Sequence, residues 1–155
     1  KLLFIRKMIM LSLPPVHVLL LVILIKAIFL AGFGPQVLDR PEVLWGLVPL
    51  IAGLWLLVSA RLAFLRSKTT IMTFDRPEKL VTSGPFAFTR NPMYLGFLLL
   101  LIGAAVLAGY AAGIVAPLMF FVLARFWYIP FEERAAEEAF GSEYAAYKAR
   151  TRRWI

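Results

Sequence analysis

Cysteine is absent from this chain and histidine occurs once, at position 17. Disulfides, thiolate metal ligands and multi-histidine metal centres are therefore excluded, and cysteine usage says nothing about the redox compartment. Acidic residues are scarce, 9 against 17 Lys and Arg, which leaves a formal net charge of +8. No internal repeat or low-complexity tract is present, and 155 residues leave no room for a separate soluble catalytic domain. What fills the chain is apolar: 61% of residues are hydrophobic and the mean hydropathy is +0.81, well above a soluble domain.

The apolar residues fall into four runs, at about 13–30, 43–60, 93–107 and 114–129. A bilayer core takes about 20 apolar residues, in a range of about 17–25, so the first two runs qualify and the last two are short unless their flanks join them. Only AGYAAG separates runs three and four, which reads as a tight antiparallel hairpin. Lys26 within run one, and the lack of a small-residue cleavage pattern, argue against a cleaved signal peptide there. Lys1, Arg6 and Lys7 precede run one; Arg61, Arg66, Lys68, Arg76, Lys79 and Arg90 lie between runs two and three. A third basic group, from Arg125 to Arg153, ends run four and follows it. With four spans all three groups fall on one side, as the positive-inside rule expects, so both termini are read as cytoplasmic. The basic charge is thereby accounted for without a nucleic-acid partner. The expected fold is an all-α integral membrane protein of about four transmembrane helices with a cytoplasmic, amphipathic C-terminal helix. Its expected parts are two helices within 1–60, a connector 61–92, a hairpin 93–129 and a tail 130–155.

Two cytoplasmic segments carry nearly all the polar chemistry. The connector is long for a helix–helix link, which by itself invites a functional reading. In the tail, Glu132, Glu133, Glu137 and Glu138 read as helical, Gly141 as a break, and Tyr144, Tyr147 and Arg150 as one helix face beyond it.

LVTSGPFAFTRNPMYLGF, a hydrophobic hairpin, and then FEERAAEEAFGSEYAAYKAR form an ordered set over roughly residues 68–155. The set resembles the isoprenylcysteine carboxyl methyltransferase family and its phospholipid N-methyltransferase relatives. The matching positions are Gly84, Phe86, Arg90, Pro92, Tyr94 and Gly96, then Glu132, Glu133, Phe140, Gly141, Glu143, Tyr144, Tyr147 and Arg150. One position departs: where the family has His between Arg and Pro, this chain has Asn91. Asn can donate and accept hydrogen bonds but does not titrate near neutral pH, so a positioning role survives and an acid–base role does not. The resemblance implies S-adenosylmethionine as methyl donor, held at the cytoplasmic face between the start of run three, the end of run four and the tail. It implies an acceptor reaching the methyl group from within the bilayer, foremost an isoprenylcysteine-type carboxylate, with phospholipid amines or small thiols as alternatives. It also implies the membrane lipids themselves as partners.

Methyl transfer from a sulfonium is an in-line displacement whose donor carries its own activation, so the protein must align the reactants and exclude water. Arg90, Asn91, Pro92, Tyr94, Glu133, Tyr144, Tyr147 and Arg150 are the expected cofactor-binding residues. Glu133 suits the donor's ammonium or hydroxyls, Arg150 its carboxylate, and the tyrosines its adenine. Arg125, Glu132 and Glu133 are the expected catalytic residues: an Arg aligns an acceptor carboxylate, and a Glu takes the proton of an amine. Each also has a plainer reading. Arg90 and Tyr94 fit an interfacial anchor, Glu132 and Glu133 a solvated first helical turn, and Tyr144 and Tyr147 a tail docked on lipid. Arg125 fits a snorkelling residue, Arg152 and Arg153 contacts to anionic headgroups, and His17 and Lys26 interfacial residues. Pro49 and Pro117 are expected to kink their helices, and Gly96 and Gly103 to permit close helix packing.

Three functional classes follow. The first is an S-adenosylmethionine-dependent membrane methyltransferase, expected in the cytoplasmic membrane of a prokaryote. The second is an NADPH-dependent sterol-type reductase, whose family shares an Arg-His-Pro-x-Tyr-like element, and the third is a non-enzymatic membrane scaffold.

Overall fold

A computed structural model describes residues 14–67 and 79–155; Lys1, Arg6, Lys7, Lys68 and Arg76 of the charge pattern, and part of the connector, lie outside them. The described residues are mostly helical, with only two isolated bridges of β type among them. Helix α1 is Pro14–Ala31, opened by a proline pair that suits a first turn whose N–H groups lack helical partners. A 3-10 turn, Glu42–Gly46, leads into α2, Leu47–Arg66. A second 3-10 turn, Gly84–Ala87, precedes α3, Pro92–Ala108. A third, Ala111–Ile114, begins a continuous 30-residue helix running to Phe140. Within that helix α4 is Val115–Leu123, a π-helical segment occupies Ala124–Tyr128, and α5 is Ile129–Phe140. After Gly141 comes α6, Ser142–Arg150.

Three of these helices are long and apolar enough to cross a membrane: Pro14–Ala31, Glu42–Arg66 and Ala111–Phe140. The fourth, α3, has 17 residues, at the lower limit for a span. Run four is thus not short, because the helix carries on through the glutamates of the tail. The tight hairpin holds: α3 ends at Ala108 and Gly109 adopts φ 77°, a left-handed conformation that suits glycine. Backbone bonds from Val37 N–H to Gly109 C=O (2.9 Å) and from Ala111 N–H to Pro35 C=O (3.0 Å) tie the hairpin to the connection after α1.

Helix α3 is the centre of the bundle. Its Tyr94, Leu101 and Ala105 pack with Val18, Leu21 and Ile25 of α1 and with Ala116 and Phe120 of α4. Against α2 it approaches backbone to backbone. A Cβ placed on Gly53 would come 2.6 Å from Gly96 C=O, and one on Gly46 2.6 Å from Gly103 C=O. The paired glycines, seven apart on α3 and, counting Gly46 at the end of the 3-10 turn, seven apart along α2 and its lead-in, let the two segments touch where lipid offers no hydrophobic drive to association. Meanwhile Leu19, Leu20, Ile23, Trp55, Val58 and Leu118 point outward. Apolar surface so extensive is a liability in water and ordinary in a bilayer.

Pro49 and Pro117 do not sit mid-helix. Each is the third residue of its α-helix, just past a 3-10 turn, so it marks the change of helix type where its missing N–H costs little.

Replacing Gly53 with Ala should destabilise the protein by about 1–3 kcal/mol through overpacking against Gly96. Gly113→Ala, whose Cβ would meet only ordinary contacts at 3.4 Å, should be nearly neutral. Denaturation of both variants in one detergent checks the difference.

Candidate active site

Pro92 opens α3 at the point where the 84–91 segment ends, and Asn91, buried, stands at its N-cap. Beyond α6 the chain becomes extended at Thr151 (φ −128°, ψ 129°) and runs beside that segment. Arg90 N–H donates to Arg152 C=O (2.9 Å), the Thr89 hydroxyl to Arg153 C=O (3.2 Å), and the Asn91 side-chain amide to the same carbonyl (2.9 Å). The Arg90 guanidinium donates to Thr151 C=O (2.6 Å), satisfying a carbonyl left over at the end of α6. Asn91 thus ties the start of α3 to the extended end of the chain.

The same guanidinium reaches α5. Its Nη2 lies 2.8 Å from Glu133 Oε1, and Arg153 grips Glu133 through both Nε and Nη2. Glu133 and Arg90 are both nearly excluded from solvent, with side-chain exposures of 8% and 10%. One carboxylate therefore joins the start of α3, helix α5 and the extended end of the chain. On the adjacent residue, Glu132 accepts a hydrogen bond from the Tyr94 hydroxyl (2.7 Å). Tyr94 stacks on Tyr128, with ring centroids 5.8 Å apart, and Tyr128 lies within hydrogen-bond distance of His17 Nδ1 (2.9 Å). His17 thus belongs to the packed interior behind Tyr94.

The π-helical segment sets this alignment. Ala116, Phe120, Ala124 and Tyr128 are all buried, each four residues after the last. In an ordinary α-helix that spacing drifts by about 40° per step, and the wider π turn takes up the drift. Glu133 and Ala136 are then buried on α5, and Tyr144 and Tyr147 on α6. The Tyr147 hydroxyl donates to Phe86 C=O (2.6 Å), which pins α6 to the 3-10 turn. Burial, reinforced by the charge of Glu133, pushes the Tyr144 hydroxyl up to about 12; burial, with Tyr144 beside it, pushes Tyr147 up as well. Both remain neutral phenols at physiological pH.

These elements enclose a cavity of about 330 Å³, a volume within the range of small-molecule sites. Its polar groups are Lys79, Arg90, Asn91, Glu132 and Glu133, its aromatic walls include Phe86, Tyr94, Tyr144 and Tyr147, and its apolar end reaches Phe97 and Pro14. Pro92 lines it too. Among the described residues, the hydrogen bonds to Glu133 engage both of its oxygens, whereas Glu132 receives one bond at one oxygen.

Of the residues expected at the site, Arg90, Asn91, Pro92, Tyr94, Glu132, Glu133, Tyr144 and Tyr147 come together here. Arg125 and Arg150 do not line the cavity. Arg125 follows buried Ala124 on the π segment and lies 5.9 Å over the Phe126 ring. Arg150 is exposed and lies 5.9 Å from the Tyr147 ring, because the helix ends there and the chain turns away. Arg153, which does not line the cavity either, is the arginine from the end of the chain that pairs with Glu133. No spacing rule points to it, since only the extended exit after α6 brings it back to Glu133. Lys79, seen in the sequence as an orienting charge, is also at the cavity.

Residues 41–143 match the family described as phospholipid methyltransferase. Over 110 residues the chain is 34% identical to protein-S-isoprenylcysteine O-methyltransferase B of Arabidopsis thaliana, across 68% of this chain and 55% of that protein. It therefore spans about half the length of this curated relative. No solved structure matches it.

Exchanging Glu133 for Gln should destabilise the protein by about 3 kcal/mol, since two arginines would face a neutral group. Amide exchange at 151–153 should rise with it, measured by hydrogen–deuterium mass spectrometry on the variant and the parent.

Proposed function

The chain belongs to the phospholipid methyltransferase family, and from that premise we propose that it methylates a lipophilic acceptor at the cytoplasmic face of a membrane, with S-adenosylmethionine as donor. The observation that carries this reading is the cavity itself. It gathers two carboxylates, a lysine, an arginine and three tyrosines at one end and leads to apolar residues of the membrane helices at the other.

The residues present fit such a donor. Glu132 offers an oxygen to an ammonium, Lys79 a cation to a carboxylate, and Tyr94, Tyr144 and Phe86 faces to a purine. Bound there, S-adenosylmethionine supplies a methyl group already activated by its sulfonium. The chain's own part is alignment and exclusion of water. Arg90 and Arg153, both engaged by Glu133, hold the wall rigid rather than reaching for ligand. Tyr94 fixes the Glu132 carboxylate in one orientation. The basic groups flanking the helices support a cytoplasmic side for this end of the bundle and for both ends of the sequence given.

For the acceptor, the leading reading is an isoprenylcysteine-type carboxylate, supported by the relative's name. A carboxylate is a nucleophile at neutral pH and needs no base. One observation favours a second reading, an amine headgroup: Glu132 presents a carboxylate to the cavity, which repels another carboxylate and suits taking up an amine's proton.

Calorimetry should show S-adenosylmethionine binding and no binding of NADPH; the reverse would overturn the proposal in favour of a reductase. Labelled-methyl transfer to a prenylated cysteine and to phosphatidylethanolamine then separates the acceptors. With an amine acceptor, Glu132→Gln should lower turnover by about 10²–10⁴-fold, the range of general-base catalysis. With a carboxylate acceptor its main effect should fall on donor affinity. Arg125→Ala and Arg150→Ala, both outside the cavity, should keep turnover within about twofold.

A further inference from the structure

A second cavity, of about 620 Å³, shares no lining residue with the first. The 84–91 segment is the partition: Gly84, Pro85 and Thr89 line the second cavity, while Phe86, Arg90 and Asn91 line the first. Much of the second cavity's other wall is α2, which contributes Trp55, Ser59, Leu62 and Arg66. Their spacing of four, three and four residues makes a single stripe along the helix, about 16 Å from end to end. The stripe is apolar toward mid-helix and cationic at its last turn. Trp154 and Leu95 extend the apolar part, and Ser83 adds a hydroxyl; Gly84 beside it lies against Ala63, near the Arg66 end.

One polar group stands ready there, and another is shut inside the wall. Arg66 is exposed and takes no part in the ion pairs formed among the described residues. The Trp154 indole N–H is buried without a hydrogen-bond partner, on a ring that forms part of the wall. A long apolar groove ending in a cation and hydroxyls matches an amphiphile with an anionic head. A soluble metabolite would leave the tryptophan and leucine wall uncovered, and a plain hydrocarbon would leave the arginine unused.

We infer that this groove binds one anionic phospholipid of the surrounding bilayer. Its phosphate sits at Arg66 and Ser83, and an acyl chain lies along Trp55, Leu62 and Trp154. Seated there, the lipid backs the partition whose other side carries Arg90 and Asn91. The assignment does not depend on the reaction at the first cavity.

Native mass spectrometry of the full chain with phosphatidylglycerol and phosphatidylcholine of equal acyl chains tests it. Phosphatidylglycerol should bind about fivefold more tightly, the effect of one arginine at a membrane surface. Arg66→Ala should abolish that preference. Arg61→Ala, an exposed cation on the same helix that does not line the groove, should keep it. Ser83→Asp, at an exposed position, should abolish it by placing an acid against the phosphate. In a variant with Trp45, Trp55 and Trp127 changed to Phe, chain-brominated phosphatidylglycerol should quench Trp154, and Arg66→Ala should reduce the quenching. Equal binding of the two lipids, equal losses from Arg61→Ala and Arg66→Ala, or quenching indifferent to Arg66→Ala would each overturn the inference. Glycerol phosphate binding as tightly as the lipid would overturn it too, by showing that the acyl chain adds nothing.

Discussion

A carboxylate removed from water is costly unless cations come to it, and Glu133 draws two from distant parts of the chain. Arg90 arrives from the start of α3 and Arg153 from beyond α6. Arg90 also donates to Thr151 C=O and Arg153 keeps part of its water, so it is Glu133 that depends on both partners, while each of them gains from it. That need is what folds the end of the chain back over the bundle. The backbone bonds between 89–91 and 151–153 then give the fold-back a register. These ties join the start of α3 and helix α5, both of which line the cavity, to the end of the chain.

The clasp works only if its two sides are presented rigidly, and the membrane part supplies that. Glycines on α2 and α3 bring the helix backbones together, so the 3-10 turn before α3 has a firm base in Ala60, Ala63 and Phe64. On the other side, Phe120 and Ile129 are wholly buried and anchor the long helix against α1 and α3. Polar chemistry thus sits at the end of a bundle whose stiffness comes from small residues in one seam and large ones in another.

Much of this was legible in the residues. Hydropathy marked the helices, the spacing of Tyr144 and Tyr147 marked the inward face of α6, and Gly141 marked the break before it. What stayed hidden depended on tertiary geometry. Gly46 and Gly53 are unremarkable until α3 lies against them, and Arg153 looks like any basic residue near a membrane. Arg150 is the last residue of α6 and faces solvent, whereas the next residue, Thr151, is the one buried as the chain turns extended. Arg125, singled out as a charge at the end of run four, lies within the π segment over the Phe126 ring, outside the cavity. Run four looked short because the glutamates that follow it are polar, although the helix itself does not end there.

The π turn has a consequence for how this chain tolerates change. It holds one residue more than an α-turn of the same height, so it stores an insertion within a continuous helix. Loss of a single residue from 124–128 would let the segment relax into regular α-helix without breaking any span. Everything after it would then turn by about 100°. Glu132 and Glu133 would leave the cavity together while hydropathy, length and composition stayed almost the same. The membrane would accept such a chain, and the site would be gone.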